Sequence, residues 1–149
     1  MSENTRTDRI IVGVDGSRES IAALTRGSEL AAALHAPLEM ITTWQYPAMV
    51  GYAFESATGW SPEGDAVAIQ QDAIAAAFGE HAPPLTRTVM EGPPARVLIH
   101  ESSTAAMLVL GSRGRGGFFG LLLGSVSAAC AEHAHCPVLI MHQAEAAAA

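Results

Sequence analysis

The sequence predicts an α/β fold: a five-stranded parallel sheet, in the order 3-2-1-4-5, with helices on both faces. Three observations lead there. Five short apolar, β-branched runs alternate with segments of helical period. The central runs are almost continuously apolar, as strands covered on both faces are. The most apolar run, Ala106 to Leu110, leads into a glycine-rich stretch, at the end of a strand where open parallel sheets hold their ligands. Right-handed crossovers between successive parallel strands then put helices on both sides. With 149 residues, 49% of them hydrophobic, the chain makes one domain. Its expected span is 9–142, between a flexible polar lead over 1–8 and a flexible alanine-rich tail over 143–149.

Each element has its own signal. Arg9 to Asp15 reads as the first strand, broken by Gly16-Ser17, with Ser17 as helix N-cap. Ile21, Leu24, Ser28, Ala31, Ala32 and His35 recur at spacings of three and four and define one face of the first helix, which Pro37 ends. Leu38 to Trp44 is the second strand. Residues 45–60 show no clean period and, together with Trp44, hold five of the eight aromatic residues. They are expected to form a connection without structure of its own, either functional or packing its aromatics onto the domain. Ser61-Pro62 then reads as an N-cap followed by proline at the first helical position. That helix runs through Val67, Ile69, Ile74 and Phe78 and stops near Gly79. Leu85 to Met90 is a third strand, polar enough for a sheet edge. Gly92-Pro93-Pro94 turns the chain into a helix carrying Val97, Leu98 and His100. Ala106 to Leu110 is a central strand. Ser125 to Ala134 is helical, with Val126, Ala129, Cys130 and His133 on one face, and Pro137 to Met141 is the last strand.

Composition excludes several function classes. The formal net charge of -7 argues against the basic stripe of a nucleic-acid surface. No run of about 18 apolar residues is present to span a membrane. All eight cationic residues are arginine, which removes the Walker lysine, Schiff-base chemistry and the kinase lysine. Cys130 and Cys136 belong to no CxxC pair, so neither a disulfide framework nor a zinc site is expected. The expected setting is the reducing cytoplasm. Both thiols are expected to be inert packing, Cys130 in the core and Cys136 at the start of a buried strand. His35, His81, His100, His133, His135 and His142 form no metal motif.

In the order 3-2-1-4-5 the binding crevice lies between strands one and four, and both lips carry unusual residues. Strand one ends at Asp15. Strand four leads into residues 111–124, where six of fourteen residues are glycine. Such glycines let backbone approach a ligand and take positive φ without penalty. Gly124-Ser125 opens a helix whose free N–H groups and positive dipole end favour an anion, with Ser125 and Ser127 adding hydroxyl donors. A phosphate is the natural occupant. Walker A is rejected because Gly117 stands where its lysine belongs, and a Rossmann fingerprint because Asp15-Gly16-Ser17 follows the first strand.

What fits is Gly111-x-x-Gly114, nine residues, then Gly124-Ser125. This resembles the G-2x-G-9x-G-[S/T] nucleotide motif of the universal stress protein family. The likeness covers residues 9–142 and extends to Val12-Gly13-Val14-Asp15-Gly16-Ser17, Glu91-Gly92-Pro93-Pro94-Ala95, Leu122-Leu123-Gly124-Ser125-Val126-Ser127 and Cys136-Pro137-Val138-Leu139-Ile140. The chain departs from the family at Ala106, where an acidic residue is common. The resemblance implies an adenine nucleotide alpha hydrolase-like fold and a stress-response or regulatory protein that binds ATP, or else AMP or cyclic AMP. It would place adenine between Gly13, Val14 and Asp15 on one side and Thr43 on the other. Ribose and first phosphates would meet Gly111, Ser112, Arg113 and Gly114, with Leu110 behind. The remaining phosphates would meet Gly124, Ser125, Val126 and Ser127.

Several alternatives stay open. Asp15 either holds a Mg²⁺ that bridges to the phosphates or merely caps the turn before Ser17. Arg113 and Arg115 either contact phosphate or are solvated loop charges. Phe118 and Phe119 are expected to meet a partner or the core. Beside the nucleotide-binding regulator stand a slow ATPase and a nucleotide-free dimeric adaptor. Hydrolysis, if any, is expected to be slow, because no general base is evident. The last strand, Val138, Leu139, Ile140 and Met141, is an uncharged open edge. Both that edge and the resemblance lead to a homodimer joined through it.

Overall fold

The computed structural model describes residues 8–47, 51–114 and 123–142. Its strands are β1 (Ile10–Gly13), β2 (Leu38–Trp44), β3 (Thr86–Glu91), β4 (Met107–Gly111) and β5 (Val138–Met141). All pairings are parallel and the order is β3-β2-β1-β4-β5, as expected. The central strand is in register through Ile10, which lies opposite Leu38 on one side and Met107 on the other. The helices are α1 (Arg18–Leu34), α2 (Gly51–Thr58), α3 (Pro62–Phe78), α4 (Pro94–Ser102) and α5 (Ser125–His133).

The period of two in a strand divides the core into two layers. Ile10, Val12, Val14, Leu38, Met40 and Val109 face Ala23, Leu24 and Ala31 of α1 and Ala73 of α3. Ile11, Ile41, Leu108 and Leu110 face Leu98 of α4 and Cys130 of α5. Each large side chain so buried contributes about 1.5–3 kcal/mol. Ser17 and Ser61 cap α1 and α3 as expected, accepting from the N–H groups of Ser20 and Gly64.

The inward faces of the helices differ from those expected. α1 buries Ser20, Ala23, Leu24, Gly27 and Ala31, while Ala32 and His35 are exposed. It packs through its small residues: a Cβ added to Gly27 would lie only 2.5 Å from Val12 Cγ2. α3 buries Ala66, Gln70 and Ala73, and Val67 is exposed. Gln70 belongs inside because its Nε2 donates to the carbonyl of Thr88 on edge strand β3 at 2.8 Å. On α5, Ser127 and Cys130 point inward and His133 outward. β5 begins at Val138 and is half-buried along its length, so Cys136 precedes the strand and is itself half-buried.

The structureless connection expected over 45–60 is overturned by α2. This helix stops after Thr58, before Gly59, whose φ is 73° and whose N–H donates to the Glu55 carbonyl at 2.8 Å. At the N-terminal end of the sheet, the Arg9 guanidinium reaches Glu39 at 2.5 Å, Glu101 at 3.3 Å and Thr104 at 3.1 Å. Thr88 donates to the second Glu39 oxygen at 2.6 Å. Arg9 thus finds its counter-charges on β2 and α4, and Ala106 contributes only a backbone N–H to the Arg9 carbonyl. The expected lead and tail fall outside the described residues, apart from Asp8. No helix among the described residues is long and apolar enough to cross a membrane.

Candidate functional site

β1 and β4 are neighbours, yet the chain leaves them toward opposite faces, into α1 and α5. The divergence opens a cleft of about 510 Å³ beyond their carboxyl ends, the expected place for a ligand in such a sheet. That volume is within the range of small-molecule sites.

The first lip is the β1–α1 turn. The strand itself ends at Gly13, two residues before Asp15. Asp15 Oδ1 accepts the Ser17 N–H at 2.9 Å, and Gly16 between them has φ 88°. The Ser20 hydroxyl donates to the Ser17 carbonyl at 2.9 Å, so the turn is closed by its own side chains. Asp15 therefore does have the turn-capping role. Its other oxygen lies against Gly114 across the cleft, where an added Cβ would collide with it. β2 braces this lip: Val14 donates to the Ile41 carbonyl at 3.0 Å and accepts from Thr42 Oγ1 at 2.7 Å.

The second lip is built on Ser112. Its carbonyl accepts both the Gly124 N–H and the Ser127 hydroxyl at 2.7 Å, while its own N–H donates to Met141 on β5 at 2.8 Å. This clamp holds the start of α5 against the end of β4, with Gly124, Ser125, Val126 and Ser127 lining the cleft. No side chain caps α5, so its first N–H groups are available to an anion. Two expectations change here. The Ser127 hydroxyl is buried and spent on the Ser112 and Gly124 carbonyls, leaving Ser125 as the exposed hydroxyl of the pair. None of Gly111, Gly114 and Gly124 has positive φ. Gly111 is required by its close approach to the backbone of Glu19 and Ser20 instead, while at Gly114 an added Cβ would displace the Asp15 carboxylate.

Of the residues read from the sequence, Gly13, Val14, Asp15, Thr43, Leu110, Gly111, Arg113, Gly114, Gly124, Ser125, Val126 and Ser127 line this one cleft. Ser112 does not; it is buried behind it. Arg115, Phe118 and Phe119 lie outside the described residues. Sequence reasoning missed Ser17, Ser20, Ile41, Thr42, Trp44, Gln45, Ile69, Gly92, Pro94 and Leu98 as lining. The serines were legible as caps and β2's end by its place beside Thr43, whereas Ile69 on α3 had no local signal. Gly92 belongs because its N–H donates to the Trp44 carbonyl at 2.8 Å with φ 138°, folding the β3–α4 turn over the end of β2.

Asp15 and Arg113 are the only charged residues among the described lining residues. The arrangement suits recognition of an anion by backbone dipoles more than acid–base chemistry. Among the described residues, no group of three or more His, Cys, Asp or Glu is placed to hold a metal ion. Away from the cleft, burial and neighbouring Cys136 push the Cys130 thiol up to about 11, so it stays protonated at neutral pH.

An open parallel α/β sheet with a glycine-walled cleft at its switch point and a bare helix N-terminus at one lip defines the class of protein. The model of the universal stress protein family matches residues 6–142, and the chain belongs to that family. The fold is the adenine nucleotide alpha hydrolase-like fold of its structural neighbours. A universal stress protein of Mycobacterium tuberculosis is 32% identical over 98% of this chain and 52% of its own length. The chain thus spans about half the length of the curated relatives it matches. Among solved structures, a universal stress protein from Lactobacillus plantarum superposes with TM-score 0.74 at 20% identity, over 91% of this chain and 98% of that one. A second universal stress protein, solved in complex with cAMP, has TM-score 0.64 at 27% identity over 93% and 99%.

Proposed function

We propose that this protein binds an adenine nucleotide in the cleft and acts as a nucleotide-responsive regulator in stress physiology. The observation that carries the reading is the Ser112 clamp, which presents the uncapped N-terminus of α5 to the cleft beside Gly111 and Gly114. The cAMP complex of a relative at 27% identity supports an adenylate as occupant. Gly13, Val14, Asp15 and Thr43 are assigned to the base. Gly111, Arg113 and Gly114, backed by Leu110, take the ribose and first phosphate. The start of α5 takes any further phosphates through the Ser125 hydroxyl and the backbone of Gly124, Ser125, Val126 and Ser127, the Ser127 hydroxyl being spent on the Ser112 clamp. With ATP, Asp15 supplies the single carboxylate through which a phosphate-bound Mg²⁺ is commonly held.

Binding without efficient turnover is the expected behaviour, since neither lysine nor an evident general base is available. We assign the protein to the cytoplasm and to a homodimer through β5, an uncharged edge strand. The test is direct: identify by mass spectrometry any nucleotide released on denaturation, then titrate ATP, AMP and cyclic AMP calorimetrically. Gly124→Leu, at a position with φ −75° that any residue adopts, is expected to stay folded and lose the ligand by filling its space. Wild-type affinity in folded Gly124→Leu refutes the assignment. Phosphate release near the roughly 1–100 per second of kinases makes the protein an ATPase, and no binding at all makes it an adaptor.

A further inference from the structure

We propose that Trp44 is the specificity-determining residue of the cleft, its indole forming the stacking wall that selects a ligand carrying an aromatic base. The inference rests on the nucleotide reading above and names the side chain that reads the base. Trp44 is the last residue of β2 and lines the cleft between Thr43 and Gln45. It is the one aromatic residue among the described lining residues; its apolar neighbours there, such as Ile41 and Ile69, are aliphatic.

The cleft is divided along the sheet. The anion-seeking groups, the α5 N-terminus and Arg113, follow β4, whereas Trp44 ends β2, on the far side of β1. Two strand spacings of about 4.8 Å separate β2 from β4. That is roughly the reach of a nucleotide from base to phosphate. An anion held at α5 therefore carries its base toward Trp44.

The indole is also fixed before any ligand arrives. Its backbone carbonyl is bound by the Gly92 N–H at 2.8 Å. Its ring meets that of Tyr46 edge-on, with centroids 5.5 Å apart and an interplanar angle of 87°. The Tyr46 hydroxyl is in turn hydrogen-bonded to Glu55 of α2. A ring already held in place loses little freedom on stacking, so more of the contact appears as affinity.

The experiment compares AMP with ribose 5-phosphate, which keeps the anion and sugar and lacks the base. Trp44→Leu, which retains apolar bulk, is expected to lose AMP affinity roughly 5- to 100-fold while its weak affinity for ribose 5-phosphate is unchanged. Trp44→Phe is expected to restore most of the AMP affinity. Equal losses for both ligands, or none for either, overturn the proposal. Should Trp44→Leu not fold, Trp60→Phe leaves Trp44 as the only tryptophan. Its fluorescence is then expected to be quenched by AMP and not by ribose 5-phosphate, and an unchanged signal with saturating AMP overturns the proposal. Failure of wild-type protein to bind AMP, ATP or cyclic AMP is a different result and refutes the nucleotide reading itself.

Discussion

Gly111→Ala tests how the cleft is built, because the new methyl group meets backbone. An added Cβ would lie 2.6 Å from Glu19 Cβ, 2.7 Å from the Glu19 carbonyl carbon and 2.9 Å from the Ser20 nitrogen. To restore ordinary contact at 3.4 Å from the nearest atom, the first turn of α1 must retreat by about 0.8 Å. It has little freedom to do so, since Ser20, Ala23 and Leu24 are buried against the sheet. Overpacking of this kind costs about 1–3 kcal/mol. Replacing glycine inside a strand returns about 0.5–1 kcal/mol of backbone entropy. The contact is with backbone, so the steric term wins, for a net loss of up to about 2.5 kcal/mol and a fall in Tm of up to roughly 10 °C. Thermal unfolding followed by far-UV circular dichroism measures it. Gly124→Ala is the control: its nearest neighbour, Arg113 Cα, is at 3.4 Å and its φ is −75°, so stability is expected to change by about 0.5 kcal/mol or less. A Gly111→Ala protein that melts at or above the parent refutes the reasoning, as does a control destabilised as strongly.

Three further outcomes are expected. Glu39→Leu leaves the Arg9 guanidinium with Glu101 as its remaining carboxylate, 3.3 Å away, and is expected to cost about 2–3 kcal/mol in urea unfolding, with much of it recovered on adding Arg9→Met; a double variant no more stable than the single one contradicts this. Because the Cys130 thiol is raised from 9.0 to about 11, the unfolded chain loses that proton first. Its contribution is thus complete below pH 9 and fades as pH rises toward about 11; Cys130→Ala is expected to flatten that alkaline decline, and iodoacetamide to label half-buried Cys136 long before Cys130 in native protein. Pro137 and Met141 turn their carbonyls to β4, so the intervening Leu139 faces β4 as well and the N–H of Ile140 faces the open edge. Ile140→Pro is therefore expected to convert the proposed dimer to monomer by deleting an edge N–H while sparing the β4 ladder, and light scattering showing a stable wild-type monomer at micromolar concentration removes the dimer.

Much of this molecule is dictated locally and is therefore legible in the sequence. The apolar runs around Ile10, Met40 and Val109 could only be strands covered on both faces, the polar run at Thr86 to Met90 could only sit at an edge, and Ser17, Ser61 and Gly79 mark helix ends through their own side chains or dihedral freedom. The glycine-rich exit from β4 also marked the cleft, since Gly111, Arg113, Gly114 and Gly124 converge on it. The tertiary structure decided what depends on distance between segments remote in sequence. α2 carries no strong period of its own and is tied to β2's exit through Glu55 and Tyr46. Which face of α1 turns inward is fixed by how closely Gly27 approaches Val12, and Gln70 enters the core only because a Thr88 carbonyl awaits it. Ser112 and Ser127 look like phosphate donors in a linear motif, yet in the fold they spend their polar groups holding β4, α5 and β5 together. Periodicity records which residues avoid water; it carries no record of which polar atoms will find one another, because hydrogen bonds are directional and close only once the backbones stand within about 3 Å.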